Sequence, residues 1–173
     1  PDFIPLLEGI KDKLDRVAHI IVLTDKASLP RSTFDNLQCY ESLITRQPDC
    51  YHWPVLDEQA ASALCYTSGT TGNPKGVLYS HRSTILHTYA LALPDTFNLS
   101  ARDAVMPVVP MFHVNAWGLP YSAVMVGAKL VLPGSYMGDG VALTKLINNE
   151  GVTLSAGVPT VWLALLTTLR ETR

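Results

Sequence analysis

The second half of the chain alternates short β-branched apolar runs with stretches of helical spacing, and this alternation restricts the fold more than any other feature. "AVMPVV" (104–109), "KLVLP" (129–133) and "VTLSAG" (152–157) read as strands. Between and after them, the spacing predicts a helix of two to three turns ending near Gly127, a helix over 140–149 with Asp139 at its N-terminus, and a helix over 159–170 opened by Pro159. Strands and helices in alternation make an α/β fold, a mostly parallel sheet with covering helices. Pro107 points to an edge strand or a strand end. Upstream, Phe3, Leu6, Leu7, Ile10 and Leu14 have the spacing of a helix over 2–15, and "HIIVLT" (19–24) reads as a buried parallel strand. A loop over 25–34, a short helix over 35–45 capped by Asp35, and an irregular stretch over 46–57 follow. Ser80 is the expected N-cap of a helix over 81–93. A length of 173 residues suffices for one domain with its own core.

Between the strand-like runs "SALCY" and "GVLYS" lies "TSGTTGNPKG" (67–76), ten residues without an apolar side chain. Loops of small residues turn their backbone N–H groups toward one point and bind anions, phosphate above all. Gly69, Gly72 and Gly76 open backbone angles closed to other residues, and Thr67, Ser68, Thr70 and Thr71 add hydroxyl donors. Lys75 adds a compact positive charge, and Pro74 stiffens the approach to it. An exposed turn rich in turn formers is the plainer alternative. A Walker A loop is excluded: Lys75 is followed by Gly76 rather than Ser or Thr, and the loop feeds a strand rather than a helix.

"YTSGTTGNPKGVLYSH" (66–81) closely resembles the signature of the adenylate-forming superfamily, which includes acyl-CoA synthetases, firefly luciferase and the adenylation domains of peptide synthetases. "VVPMFHVNAWG" (108–118) resembles that family's second core motif, and "LPG" (132–134) and "GVPTVWLALL" (157–166) also match in wording. The resemblance implies that Thr67, Ser68, Gly69, Thr70, Thr71, Gly72 and Lys75 hold the phosphates of ATP. It places His113 beside the acyl carboxylate, and Trp117 and Gly118 along the acyl tunnel. Packing is an equal reading for Trp117. Gly157 either gives room to the substrate or serves a strand-to-helix turn. "MFHVNAWGLPY" is most similar to medium- and long-chain fatty acyl-CoA synthetases.

The implied chemistry is activation of a carboxylic acid by ATP to an acyl-adenylate and then to acyl-CoA, with ATP, Mg²⁺ and coenzyme A as cofactors. The family's Tyr-Gly-x-Thr-Glu and Tyr-x-Thr-Gly-Asp stretches do not occur here, nor does the context of its catalytic lysine. Asp139 in "YMGDG" reads as a helix N-cap instead. The expectation is therefore part of the large N-terminal domain, with the C-terminal domain absent, no catalytic residue within the chain and no ligase activity in isolation. A non-catalytic nucleotide- or acyl-binding module, and adenylation for an acceptor other than coenzyme A, stand as alternatives.

The balance of 13 basic against 15 acidic residues argues against a nucleic-acid surface. The longest apolar region, 117–133, is interrupted by Pro120, Gly127 and Lys129, so no membrane span of ~20 residues is expected. Cys39, Cys50 and Cys65 form no CxxC pair and read as free thiols of a cytoplasmic protein. His81 and His87 are six apart, on different helix faces, and no metal site is expected of them. An apolar content of 47% with 16% charged residues suggests a face that another part covers, or a homo-oligomer.

Overall fold

The computed structural model describes residues 2–67 and 72–171, in two compact units, 1–54 and 55–173. In the first unit the parallel pair β1 (Ile20–Val22) and β2 (Leu37–Cys39) is flanked by the short helices α1 (Ile4–Glu8) and α2 (Tyr40–Ile44). The helix expected over 2–15 is broken. Gly9 ends α1, Ile10 leaves helical geometry at φ −123°, and a single 3-10 turn covers Lys11–Lys13. An interior glycine costs a helix roughly 1 kcal/mol against alanine, enough to end so short a segment. The buried residue is Ile4, whereas Phe3 and Leu6 are exposed. The helix expected over 35–45 is also corrected. Leu37–Cys39 pairs with β1, and Cys39, not Asp35, occupies the N-cap position of α2. β1 is parallel as expected, but of its residues only Val22 is buried.

The second unit opens on an antiparallel hairpin, β3 (Ala61–Thr67) and β4 (Lys75–Ser80). Ser80 then caps α3 (His81–Ala92): its hydroxyl accepts from the Ser83 N–H, and the Ser83 hydroxyl accepts from the Ser80 N–H. Each donor so satisfied is one that a helix start leaves open.

The core of this unit is a three-stranded parallel sheet in the order β6 (Lys129–Leu130), β5 (Ala104–Val108), β7 (Leu154–Gly157). Residues of β5 point alternately to its two faces, as a period of two requires. Val105 joins Leu119 and Ala123 of α4 (Leu119–Val126) in one cluster. Met106 and Val108 join Leu143 of α5 (Gly140–Glu150) in another, against which Val161, Trp162 and Leu165 of α6 (Pro159–Glu171) pack. Helices cover both faces of the sheet, which explains the continuous burial of β5. Asp139 caps α5, its Oδ1 accepting from Val141 N and Ala142 N at 2.9 and 3.0 Å.

Pro107 does not mark an edge: β5 is the middle strand. The carbonyls of Asp103 and Val105 face β6, accepting from Lys129 and Val131. Pro107, two residues further on, turns the same way, past the point where the β5–β6 register stops at Leu130. The missing N–H thus removes no ladder bond.

Asp103 ties the start of β5 to β7. Its carboxylate accepts from the Ser100 N–H, the Ser100 hydroxyl and the Thr153 hydroxyl, and these donors hold its pKa below the ordinary aspartate value, the Ser100 N–H most of all.

Candidate functional site

The chain leaves β5 for β6 along one face of the sheet and returns to β7, on the other side of β5, along the opposite face. In open α/β sheets, ligands sit outside the carboxyl ends of strands at such a reversal. The segment following Val108 is built unusually. Val114, Asn115, Ala116 and Trp117 have φ of 49°, 51°, 50° and 57°, and Gly118 follows at 73°. Together they form a left-handed turn, closed by Ala116 N to His113 O and Gly118 N to Asn115 O. Each non-glycine residue in that region costs roughly 1–2 kcal/mol, and such strain persists only where the surroundings impose it.

The surroundings do so at several points. Ala116 and Leu119 are fully buried. Trp117 packs its indole against the core cluster of Leu99, Val105 and Leu119. Its carbonyl oxygen lies 3.3 Å from Nε2 of His87 on α3. The Cys65 thiol of β3 donates to Asn115 Oδ1 at 3.4 Å. Gly118 is held against the His87 ring, with no room for a β-carbon.

Between α3 and this turn opens a cleft of about 280 Å³, lined chiefly by Tyr79, His87, Val114, Asn115, Gly118 and Tyr121. Ser83, Thr84 and Thr88 of α3 complete the lining, but their hydroxyls are spent on backbone carbonyls: Ser83 and Thr84 on Ser80 O, Thr88 on Thr84 O. They therefore offer the cleft mainly methyl and methylene surface. The space suits a slender, mostly apolar chain with few polar contacts.

Of the residues singled out by sequence, Gly118 lines this cleft, whereas Trp117 contributes core packing and a carbonyl. His113 is exposed at the entry to the left-handed turn and is not among the lining residues. Gly157 pairs with Val108 and so leaves the same edge of the sheet. Its neighbour is Trp162, whose indole N–H donates to the Gly157 carbonyl at 3.0 Å and whose ring lies 3.1 Å from where a β-carbon would be. His87, Asn115, Tyr79 and Tyr121 were not found from the sequence. The signal for His87 was present: Thr84, His87, Thr88 and Leu91 follow i, i+3, i+4, i+7 spacing on α3.

Ser68, Gly69, Thr70 and Thr71 lie outside the described residues. The neck of their loop is described. Thr67 and Lys75 face one another as the last pair of the β3–β4 ladder. Gly72 has φ 102°, a conformation that favours glycine. Lys75 is exposed and has no hydrogen-bond or ion-pair partner among the described residues. An unspent ammonium beside a glycine-bearing turn is a chemically suitable holder for phosphate oxygens.

The family profile described as AMP-binding enzyme matches residues 3–173. The chain belongs to that family. It is 57% identical, over 95% of its length, to the medium-chain-fatty-acid–CoA ligase of Ectopseudomonas oleovorans, of which it covers 30%. It is 48% identical, over 99% of its length, to the long-chain-fatty-acid–CoA ligase of Thermus thermophilus, again covering 30% of that protein. The chain thus spans about 30% of the length of these curated relatives. The fold matches the anthranilate CoA ligase AuaEII, solved in complex with anthranoyl-AMP, with a TM-score of 0.76 at 23% identity, over 94% of this chain and 30% of that one. No helix among the described residues is long and apolar enough to cross a membrane.

Proposed function

We propose that these residues form the phosphate-holding hairpin and part of the acyl cleft of an ATP-dependent acid–thiol ligase. Its acid is a medium- or long-chain fatty acid, and the chain is an internal portion of the enzyme's large N-terminal domain. The observation that carries this reading is the neck of the β3–β4 hairpin, where Lys75, opposite Thr67, has no hydrogen-bond or ion-pair partner among the described residues. The identity to fatty-acid–CoA ligases supports the choice of acid, as does a cleft whose serine and threonine hydroxyls already donate to backbone carbonyls.

In the proposed reaction a carboxylate oxygen attacks the α-phosphorus of ATP, and pyrophosphate leaves. The coenzyme A thiol then attacks the acyl carbon, and AMP leaves. Charge accumulates on phosphate oxygens in the first step, so fixed donors and cations aimed there lower the barrier. Lys75, Thr67 and Gly72, with Ser68, Gly69, Thr70 and Thr71, are the residues proposed to hold those oxygens. Mg²⁺, when bound, supplies further charge neutralisation; no residue of this chain is assigned to it. His113, Trp117, Gly118 and Gly157 are proposed for the acyl side, Trp117 acting through the core and Gly157 through the strand end it shares with Val108.

The reading carries a cytoplasmic setting with it, which three free cysteines support. It also places the exposed apolar side chains of the second unit, among them Leu64, Leu78, Ile85 and Leu86, under other parts of the parent enzyme, or under a second copy where those parts are absent.

The test is acid-dependent pyrophosphate release by the full-length protein, with coenzyme A present and straight-chain acids from four to eighteen carbons supplied. Release that depends on acid, with acyl-CoA formed in equal amount, is expected. The 173-residue chain alone should give none. Acid-independent behaviour of the full-length protein overturns the ligase reading, and turnover by the isolated chain overturns the reading as an incomplete portion.

A further inference from the structure

Asn115 is the non-glycine residue of the left-handed turn best suited to its backbone, since asparagine tolerates positive φ better than valine, alanine or tryptophan. Its side chain is half-buried and lines the cleft. One end of its amide is committed: Oδ1 accepts from the thiol of Cys65 at 3.4 Å. The other end, Nδ2, has no partner among the described residues. Cys65 is buried on β3 and pairs in register with Val77 of β4, which fixes its place on the hairpin strand. It lies two residues before Thr67, on the strand that carries the proposed phosphate loop.

We propose that Cys65 is a positioning residue: its thiol fixes the amide of Asn115, so that Nδ2 is presented to the cleft as a donor to an oxygen of the bound acid. A carboxamide whose two ends are interchangeable in shape is ambiguous as a donor, and bonding one end removes the ambiguity. A thiol can donate here and is a poor acceptor, so the bond holds Oδ1, not Nδ2, against β3. The same contact joins the acyl cleft to the strand leading into the phosphate loop. Acid and nucleotide are thereby both registered to β3. The role rests on the ligase reading given above; the bond itself does not.

Two measurements test it. The first is infrared spectroscopy of the S–H stretch in the 173-residue chain. The difference between wild type and Cys65→Val isolates the Cys65 band, because Cys39 and Cys50 are common to both. Asn115→Leu is expected to move that band to the frequency of an unbonded thiol, and an unmoved band overturns the proposal. The second is steady-state kinetics of the full-length protein. Cys65→Val keeps an apolar side chain and strand preference but removes the donor. It is expected to raise KM for the acid by about three- to tenfold, the range of one modest hydrogen bond. KM for ATP and kcat should stay near wild type, since the contact acts on bound acid and transition state alike. Cys65→Ser, which restores a donor, should recover most of the loss. Equal effects on both KM values, or no recovery with serine, overturn the positioning role. A wild type inert toward every acid overturns the ligase reading and the role with it, while the infrared result still decides the bond.

Discussion

The ring of His87 occupies the space that a side chain at Gly118 would need: a β-carbon there would lie 2.6 Å from His87 Cδ2 and 2.8 Å from Nε2. The close approach is what lets α3 and the left-handed turn share one wall of the cleft. Gly118 also sits at φ 73°, so two independent reasons demand glycine.

Gly118→Ala should therefore destabilise the chain by about 2–3 kcal/mol, part from the left-handed backbone and part from displacement of the imidazole. Urea denaturation measures the total. His87→Ala removes the collision but leaves the backbone term, so the double variant should be less destabilised than the sum of the singles. Additive losses would show that the ring does not press on this site.

A second close approach lies at the start of α5. A β-carbon on Gly140 would strike Thr168 Oγ1 and stand 3.1 Å from the Ala164 carbonyl oxygen, both on α6. Gly140→Ala should cost about 1–3 kcal/mol as overpacking, despite alanine's better helix propensity. Thr168→Ala should recover only part of the loss, because the backbone carbonyl cannot yield as a side chain can. A neutral or stabilising Gly140→Ala would mean that the two helices separate at little cost.

The sequence disclosed the parallel sheet, the caps at Ser80 and Asp139 and the strand–loop–strand shape around Lys75, because each has a local signal: β-branched runs, a capping residue, a cluster of small polar residues. It misread two segments of the first 45 residues, the helix over 2–15 and the helix over 35–45, where short elements leave little periodicity. Phe3 and Leu6 follow a helical pattern yet face outward, while Ile4 is the residue that packs. Pro107 misled because its meaning depends on where β6 stops, a fact of pairing rather than of sequence. The left-handed turn gave no warning. Val114, Ala116 and Trp117 all prefer other conformations, and only tertiary contacts from α3 and β3 force them into this one. His87 and Asn115 enter the cleft through the same contacts.

Asp103 makes a pH-dependent contribution whose sign is fixed by its donors. Its pKa is lowered on folding by the Ser100 N–H, the Thr153 hydroxyl and the Ser100 hydroxyl. The stabilisation is therefore present in full above the unfolded aspartate value, about 3.9, and is lost as pH falls through the lower folded value. Asp103→Asn should lower the melting temperature at pH 7, with the gap to wild type narrowing below pH 4. A gap constant across that range would mean the carboxylate charge has no part in tying β5 to β7.

Lys75 gives the sharpest test of the phosphate reading, because no hydrogen bond or ion pair among the described residues depends on its side chain. It is exposed and unpaired among the described residues, and it ends the β3–β4 ladder through its backbone alone. Lys75→Met keeps the length and apolar stem of the side chain and removes the charge. Thermal melting of the chain should be unchanged within about a degree, since exposed substitutions away from specific contacts rarely exceed ±0.5 kcal/mol. In the full-length protein, kcat/KM for ATP should fall on the order of 10²-fold, as expected when one fixed donor to developing charge is lost. KM for the acid should move far less. An equal fall for acid and ATP, or a melting point lowered in step with activity, would mean that Lys75 maintains the hairpin rather than meeting phosphate. Arginine at the same place should not restore wild-type rates, because its planar fork presents donors in a different geometry from a compact ammonium.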